Sequence, residues 1–189
     1  MDLIKELRDA TGVSIMQCKK ALEDAGGDIA KARVILQKNS ALAAAKKADR
    51  TLGAGTVASY IHGGGRVGAM VELMSETDFV SKNDEFHALA QEIAMQVAAM
   101  APEYINRTQV DAPAMQAAKD VFAGEVEGKP ENLKEQILAG KLDAYFKEKV
   151  LLEQVYFKDE NKTINDLLQE AVQKFGEKVE VTRMSRFSV

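Results

Sequence analysis

The sequence predicts an α+β protein: a small three-helix segment at the N-terminus, then an antiparallel sheet packed with helices, and a helical hairpin projecting from that body. Three observations carry this expectation. Residues 1–39 are cut by glycines and capping residues into three short helical pieces. Two strand-like runs, Thr56 to His62 and Arg66 to Met74, flank Gly63-Gly64-Gly65, which reads as a hairpin turn. Beyond them, amphipathic helical periods lead to one more strand-like run at the C-terminus. Strands and helices in that mixture bury their apolar faces as layers.

The first helix carries Leu3, Ile4 and Leu7 on one side and stops at Gly12. The second starts at Ser14, a good N-cap, with Gln17 three residues on to complete a capping box. It stops at Gly26-Gly27, a pair suited to a left-handed C-terminal cap. Asp28 caps the third, expected from Ile29 to about Lys38. On the second helix, Cys18, Ala21, Leu22 and Ala25 form the stripe expected to be buried. Met16 falls on the opposite side with Lys20 near it and Lys19 on the flank, and Val13 lies in the preceding turn. Apolar Val13 and Met16 beside lysines read either as a contact surface or as an ordinary solvated face, since stray apolar surface residues are normal. Ser40 to Arg50 is alanine-rich and basic and reads as a helical linker. The expected division is thus 1–39, a linker over 40–54, and a core over 55–189. Lys46, Lys47 and Arg50 read as a solvated linker face, with contact to phosphate or an acidic partner as the alternative.

The glycine cluster of the hairpin leads into a strand and is followed by no Lys-Ser/Thr pair, so it is a turn and not a phosphate loop. His62, at the tip, has no carboxylate or cysteine cluster near it in sequence, which leaves a surface contact as its open role. Between the second strand and the next helix runs SETDFVSKND, Ser75 to Asp84. Its one apolar pair, Phe79-Val80, stands in polar surroundings. Such an aromatic is either a hydrophobic staple packing on the helix start or an anchor that fills a partner's pocket. The helix from about Asn83 to Met100 repeats Phe86, Leu89, Ala90, Ile93, Ala94, Val97 and Ala98 at helical spacing, with His87 beside the stripe, and Pro102 ends it.

Pro113 to about Glu127 reads as a helix, broken by Gly128-Lys129-Pro130. A further helix runs from Glu131 to about Glu148, with Leu133, Ile137, Leu142, Tyr145 and Phe146 inward, so a projecting hairpin is expected over about 113–148. Val150 to Lys158 reads as apolar and extended. Thr163 caps a helix carrying Ile164, Leu167, Leu168, Ala171, Val172 and Phe175, which Gly176 ends. In the tail, Lys178 to Val189, the residues Val179, Val181, Phe187 and Val189 alternate in phase as a final strand.

Composition bounds the function. The apolar fraction of 46% over 189 residues supports a sizeable core, one ordinary domain plus a small one. The net charge is −4, with residues 1–50 holding ten Lys/Arg against seven Asp/Glu and the acidic excess lying beyond them. That balance argues against nucleic acid as the main partner. A lone cysteine, Cys18, fits a reducing compartment. The opening MDLIKELRD lacks a signal pattern, and no run approaches the ~18 apolar residues of a membrane span. The expectation is a soluble cytoplasmic protein. No nucleophile–base set and no HExxH, CxxC or EF-hand spacing occurs, so neither a metal nor a cofactor is expected, and a binding or regulatory protein reads better than an enzyme.

The sequence resembles the bacterial translation elongation factor Ts family, the guanine-nucleotide exchange factors of elongation factor Tu. The residues that carry the resemblance are IKELRDATGVSIMQCKKALEDAGGD (Ile4 to Asp28), AAAKKADR (Ala43 to Arg50), YIHGGGRVGAMVEL (Tyr60 to Leu73) and ETDFV (Glu76 to Val80), with GKLDAYFKEKVLLEQVYFKD and RMSRF further on. The resemblance implies a ubiquitin-associated-like N-terminal domain, a linker, an α+β core and a coiled-coil-like hairpin. It implies that Thr77, Asp78, Phe79 and Val80 meet elongation factor Tu, with Phe79 pushing between two helices near the magnesium and phosphate site and Asp78 helping it dock. It further implies that Lys5, Arg8, Ile15, Met16 and Lys19 lie on the surface that meets the GTPase domain, and that His62 looks toward another domain of that partner. Met74-Ser75 stand before Glu76 where the family often has Asn-Cys.

The chain is similar to the short form of the family. Longer members carry two related cores, one presenting TDFV and the other the hairpin tip. A single core holding both implies a homodimer that binds two GTPases, with the C-terminal strand and the Val150–Phe157 run as candidate interfaces. The resemblance implies exchange by binding alone, with no covalent chemistry and no direct nucleotide or nucleic-acid binding. Two other readings stand beside it: a ubiquitin-associated-type adaptor that binds another protein through Val13 and Met16, and a nucleic-acid binder using Lys19, Lys20, Lys46 and Lys47.

Overall fold

The computed structural model of the chain describes residues 2–128 and 130–189. Lys129, the middle of the expected break between two helices, lies outside the described residues. The N-terminal helices are α1 (Asp2–Thr11), α2 (Ile15–Asp24) and α3 (Ile29–Ala45). The body follows as β1 (Ala54–His62), β2 (Val67–Ser75), α4 (Asp78–Ser81) and α5 (Asp84–Met100). Then come α6 (Ala112–Ala123), α7 (Glu131–Lys149), β3 (Val155–Tyr156), β4 (Asp159–Thr163), α8 (Ile164–Phe175) and β5 (Val179–Ser188). The expected α+β architecture is what the chain adopts.

Leu7, Val13, Cys18, Ala21, Leu22, Ala32 and Leu36 close a small core of their own between the first three helices. Ser14 caps α2, its hydroxyl oxygen accepting the Gln17 N–H at 3.4 Å. The cap is one-sided, not the expected box: the Ser14 hydroxyl donates to Gln17 Oε1 at 3.0 Å, which occupies the side chain that would have reached back to the backbone. Gly26 and Gly27 both take positive φ, 64° and 84°, and end α2 as expected. The third helix does not stop near Lys38. It continues to Ala45, because no glycine or proline interrupts the good helix formers after Asn39. Buried Ser40, at the start of the expected linker, donates to Leu36 O at 3.0 Å and meets the Gln173 side chain of α8.

The main sheet is antiparallel with strand order β1-β2-β5. Gly63, Gly64 and Gly65 all take positive φ at the hairpin turn, a conformation that other residues resist. One sheet face is covered by α5 and α8. Ala69, Val71 and Leu73 of β2, Phe86, Ile93 and Val97 of α5, and Ile164, Leu168 and Val172 of α8 are buried together there.

The C-terminal strand departs from its expected phase. Val179 and Val181 point into the core, but Phe187 is 71% exposed and Val189 is exposed as well. The register with β2 passes from Leu73↔Val181 to Glu72↔Arg183, leaving Thr182 as an extra residue. A bulge of one residue inverts the alternation beyond it, so Met184 packs against the core and Phe187 is on the outer face.

Val150 to Lys158 is not one extended run. Val150 and Leu151 are fully buried, and Leu151 N–H and Leu152 N–H bond to the carbonyls of Tyr104 and Ile105 at 2.8 and 3.0 Å. A single tight turn, Leu151–Glu153, follows, and β3 then pairs with β4, whose polar sequence DENKT concealed it. A buried amide pair secures this segment to α5. Gln96 Nε2 donates to Gln154 Oε1 and to Val155 O, both at 3.1 Å, and Gln96 Oε1 accepts the Phe157 N–H at 3.1 Å.

The two helices α6 and α7 pack through Ala118, Leu142, Phe146 and Val150, a third small core. The first of them ends at Ala123, short of the expected Glu127. Leu133, expected inward, is exposed. Tyr145 is also partly exposed and sets its ring edge-on to Phe122, with centroids 5.6 Å apart. Among the described residues, no helix is long and apolar enough to cross a membrane.

Candidate partner-binding site

The turn between β2 and α5 is built around one inward and one outward side chain. Ser75 ends the strand buried, and its hydroxyl donates to Thr77 O at 3.0 Å. Thr77 is extended, with φ −126° and ψ 160°, and α4 follows as a single turn. Successive residues on a helix point about 100° apart. Val80 takes the inward direction and is 4% exposed within the main core, whereas Phe79 is 84% exposed. Val80 is therefore the member of the pair that packs inward, and Phe79 projects into solvent. Asp78 pairs with Lys82 at 2.6 Å, and the hydrogen bond from that ammonium holds the Asp78 carboxyl below its ordinary range.

Two neighbouring segments brace this turn. Glu76 accepts the Lys178 backbone N–H at 2.6 Å and bonds from Arg50 at 3.2 and 3.3 Å. The Lys178 bond foremost, then Arg50, keep the Glu76 carboxyl below its usual value. Thr77 donates both its N–H, at 3.0 Å, and its hydroxyl, at 2.6 Å, to the Glu177 carboxylate. Glu177 and Lys178 are placed by Gly176, whose φ of 74° ends α8. On the other side, Gly53 N–H bonds to Ser75 O at 3.0 Å, and a Cβ at Gly53 would stand 2.9 Å from Glu76 O. Arg50, read from the sequence as a linker face, thus has an acidic partner inside the chain. Glu177 and Lys178 carried no sequence signal beyond their place after a helix-stopping glycine.

Lys5 and Arg8 are exposed on α1, and Lys19 is exposed on α2 with Glu23 at 3.8 Å. Ile15 is 53% exposed and Met16 74%. Val13 is not part of this surface. It is 1% exposed, because Gly12 at φ 67° turns the chain so that Val13 enters the three-helix core. The apolar neighbour that Met16 has on the surface is Ile15. This takes from the adaptor reading one of its two residues.

Both surfaces are fastened to α8. Gln37 of α3 donates to Asp166 at 2.9 Å near the start of that helix. At its other end the Lys174 side chain lies along Gly12, while its ammonium pairs with Glu85 in the first turn of α5. The Gly12 turn precedes Ile15 and Met16, and Glu85 follows the Phe79 turn.

His62 lies elsewhere. It is exposed at the end of β1, with Nδ1 3.0 Å from Tyr60 Oη and the two rings stacked at 5.9 Å. It pairs with Val67, at the opposite end of β2 from Ser75, which puts about 26 Å of strand between it and the Phe79 turn. Among the described residues, no three His, Cys, Asp or Glu side chains are grouped to hold a metal.

Comparison with known proteins agrees with this architecture. The family model described as Elongation factor TS matches residues 29–189. Elongation factor Ts of Thermotoga petrophila is 46% identical over 189 residues, covering 100% of this chain and 95% of that protein. Elongation factor Ts of Desulforamulus reducens is also 46% identical, covering 99% of this chain and 87% of that protein. Elongation factor Ts of Thermosipho melanesiensis is 45% identical, with 99% and 96% covered. Matches of this extent define a translation elongation factor. The chain belongs to the elongation factor Ts family.

Proposed function

We propose that this chain is a guanine-nucleotide exchange factor that binds GDP-bound elongation factor Tu in the cytoplasm and promotes GDP release, without making or breaking a covalent bond. The observation that carries the proposal is the pair Phe79-Val80: the core holds one side chain, and the other, a large aromatic, is left 84% exposed on a braced turn. Exposed aromatics on a fixed backbone bind well because little ordering entropy remains to be lost. In this reading Thr77, Asp78 and Phe79 form the anchor segment, which Val80 ties to the chain's own core and does not extend to the partner, and Lys5, Arg8, Ile15, Met16 and Lys19 form a second contact with the same GTPase.

The physics is linkage. If the factor weakens the hold of its partner on GDP, nucleotide weakens the factor's hold by the same ratio. Phe79 acts only through a difference in contact between two GTPase conformations, since equal contact in both would shift neither. Release of fluorescent GDP from loaded elongation factor Tu tests the proposal. Acceleration over the intrinsic rate is expected, and a rate equal to the intrinsic one sinks it.

We further propose that the factor works as a homodimer. His62 and Phe79 stand at opposite ends of one hairpin of a single core, and two copies of the chain would supply the two cores from which longer members of the family present these surfaces. The Val150–Phe157 run is a weaker interface candidate than the sequence implied, since Val150 and Leu151 are buried in the chain's own cores. The outer sheet face is the better one: Val57, Ile61, Met70 and Phe187 are each half exposed or more there. Light scattering should give twice the chain mass, and Met70→Glu should halve it; a monomer in the unaltered chain at micromolar concentration ends this part of the proposal.

A further inference from the structure

The helix that carries Phe79 is one turn long. It is closed by Ser81 N–H to Thr77 O at 3.3 Å, Lys82 N–H to Asp78 O at 3.1 Å and Asn83 N–H to Val80 O at 3.0 Å. A single turn is unfavourable by itself, because several dihedrals are fixed for each bond made. The Thr77 side chain makes no cap bond to this helix. Phe79, being mostly in solvent, is not held by packing either. Its direction depends on the backbone beneath it, and so on what holds Thr77.

Four residues answer this by a crossed exchange between two remote dipeptides. The Glu76 carboxylate takes the backbone N–H of Lys178, and the Glu177 carboxylate takes the backbone N–H and hydroxyl of Thr77. Bonds to an ionised acceptor are stronger than neutral ones. Glu76 secures the end of β2. Ser75 holds the Thr77 carbonyl from within β2, and Glu177 takes both the N–H and the hydroxyl of that residue, at which the chain turns from strand into α4.

We propose that Glu177 is the positioning residue for Phe79: it holds Thr77, and so the one-turn helix, in the conformation that presents the ring to the partner. The proposal rests on the reading of Phe79 as the partner-binding anchor. Glu177 itself does not touch the partner in this account. With the clamp in place, the anchor turn is ordered before contact, and that ordering does not have to be supplied at the moment of binding.

The test uses the full chain carrying E177A or E177Q, with two measurements on each. Amide hydrogen exchange by NMR at Ser81, Lys82 and Asn83 reads the order of the turn without the partner. In E177A these amides should exchange about tenfold faster, with the α5 core amides and the melting temperature little changed. E177Q keeps one acceptor oxygen and should fall between. T77V, measured in the amide arm alone, loses the hydroxyl donor and should match E177Q. The second measurement is GDP release from elongation factor Tu across factor concentrations. In E177A the maximal release rate at saturating factor should fall about tenfold, beyond any change in the half-saturating concentration.

Unchanged amide exchange in E177A overturns the proposal. Slower GDP release with unchanged amide exchange also overturns it, because Glu177 then acts by touching the partner. A loosened turn with full release overturns it too, since Phe79 then needs no clamp. If the unaltered chain fails to speed GDP release, the exchange reading falls separately, and the amide arm still decides whether Glu177 holds the turn.

Discussion

Phe79 and Val80 are adjacent in the chain and face opposite ways, one 84% exposed and the other 4%. The two substitutions should separate cleanly. Phe79→Ala removes little packing, so stability should stay within about 0.5 kcal/mol, while accelerated GDP release should be mostly lost. Val80→Ala removes two methyl groups from the core and should cost about 2 kcal/mol. Urea unfolding beside the fluorescent-GDP assay checks both; full exchange in Phe79→Ala returns that ring to a local structural role.

Val13 and Met16 make a second pair of opposites. Met16→Ala should leave folding intact and weaken binding to elongation factor Tu about five- to tenfold, as truncation of one exposed contact residue does. Val13→Ala should instead destabilise the three-helix core by about 2 kcal/mol. Calorimetric titration for the first and thermal unfolding for the second would decide. A binding defect in Met16→Ala for some other protein, with none for elongation factor Tu, would favour the adaptor reading.

The buried Gln96 amide serves three backbone and side-chain groups. Gln96→Leu fills the same space but strands the Phe157 N–H and part of the Gln154 amide. A loss of about 2–3 kcal/mol is expected, because a buried polar group left without a partner costs more than the bond itself contributes. Denaturant unfolding measures it, and a neutral outcome would mean that water replaces the amide.

Acid should expose the Glu72 contact. Hydrogen bonds from Arg183 and then Thr182 lower the Glu72 pKa to about 2, against an ordinary value near 4.5. A carboxyl depressed in the folded state is stabilising above its unfolded pKa and loses that contribution as pH falls toward the folded value. Glu72→Gln should therefore lower the melting temperature at pH 6, with the gap to the unaltered chain closing between about pH 4.5 and pH 2. High salt should narrow it at pH 6, since Arg183 is mostly exposed. A gap that persists unchanged at pH 2 would assign the effect to packing.

Much of this fold is legible in local sequence. Ser14, Asp28 and Thr163 each cap the helix expected of them, because a side-chain acceptor near free N–H groups is a purely local arrangement. The three glycines of the hairpin and Gly176 take the positive φ that their positions require. Periodicity also located the core faces of α5 and α8. What local patterns missed was of another kind. The bulge at Thr182, which sends Phe187 outward, depends on the register with β2. The polar strand β4 exists because β3 pairs with it, and the burial of Val13 follows from the turn at Gly12.

The anchor segment shows the same division. From the residues alone, one apolar pair stood in a polar stretch with staple and anchor both open, and it was the resemblance of the motif that implied a projecting Phe79. Those ten residues marked a polar connection from a strand to a long helix beginning near Asn83, and the one-turn α4 within it was not legible there. Only the tertiary structure decided which of the two apolar side chains enters the core, and it brought Glu177, one hundred residues away, onto Thr77. Contacts between remote polar residues leave no period in a sequence. They exist only once β2, α8 and β5 have packed and brought the ends of those elements together.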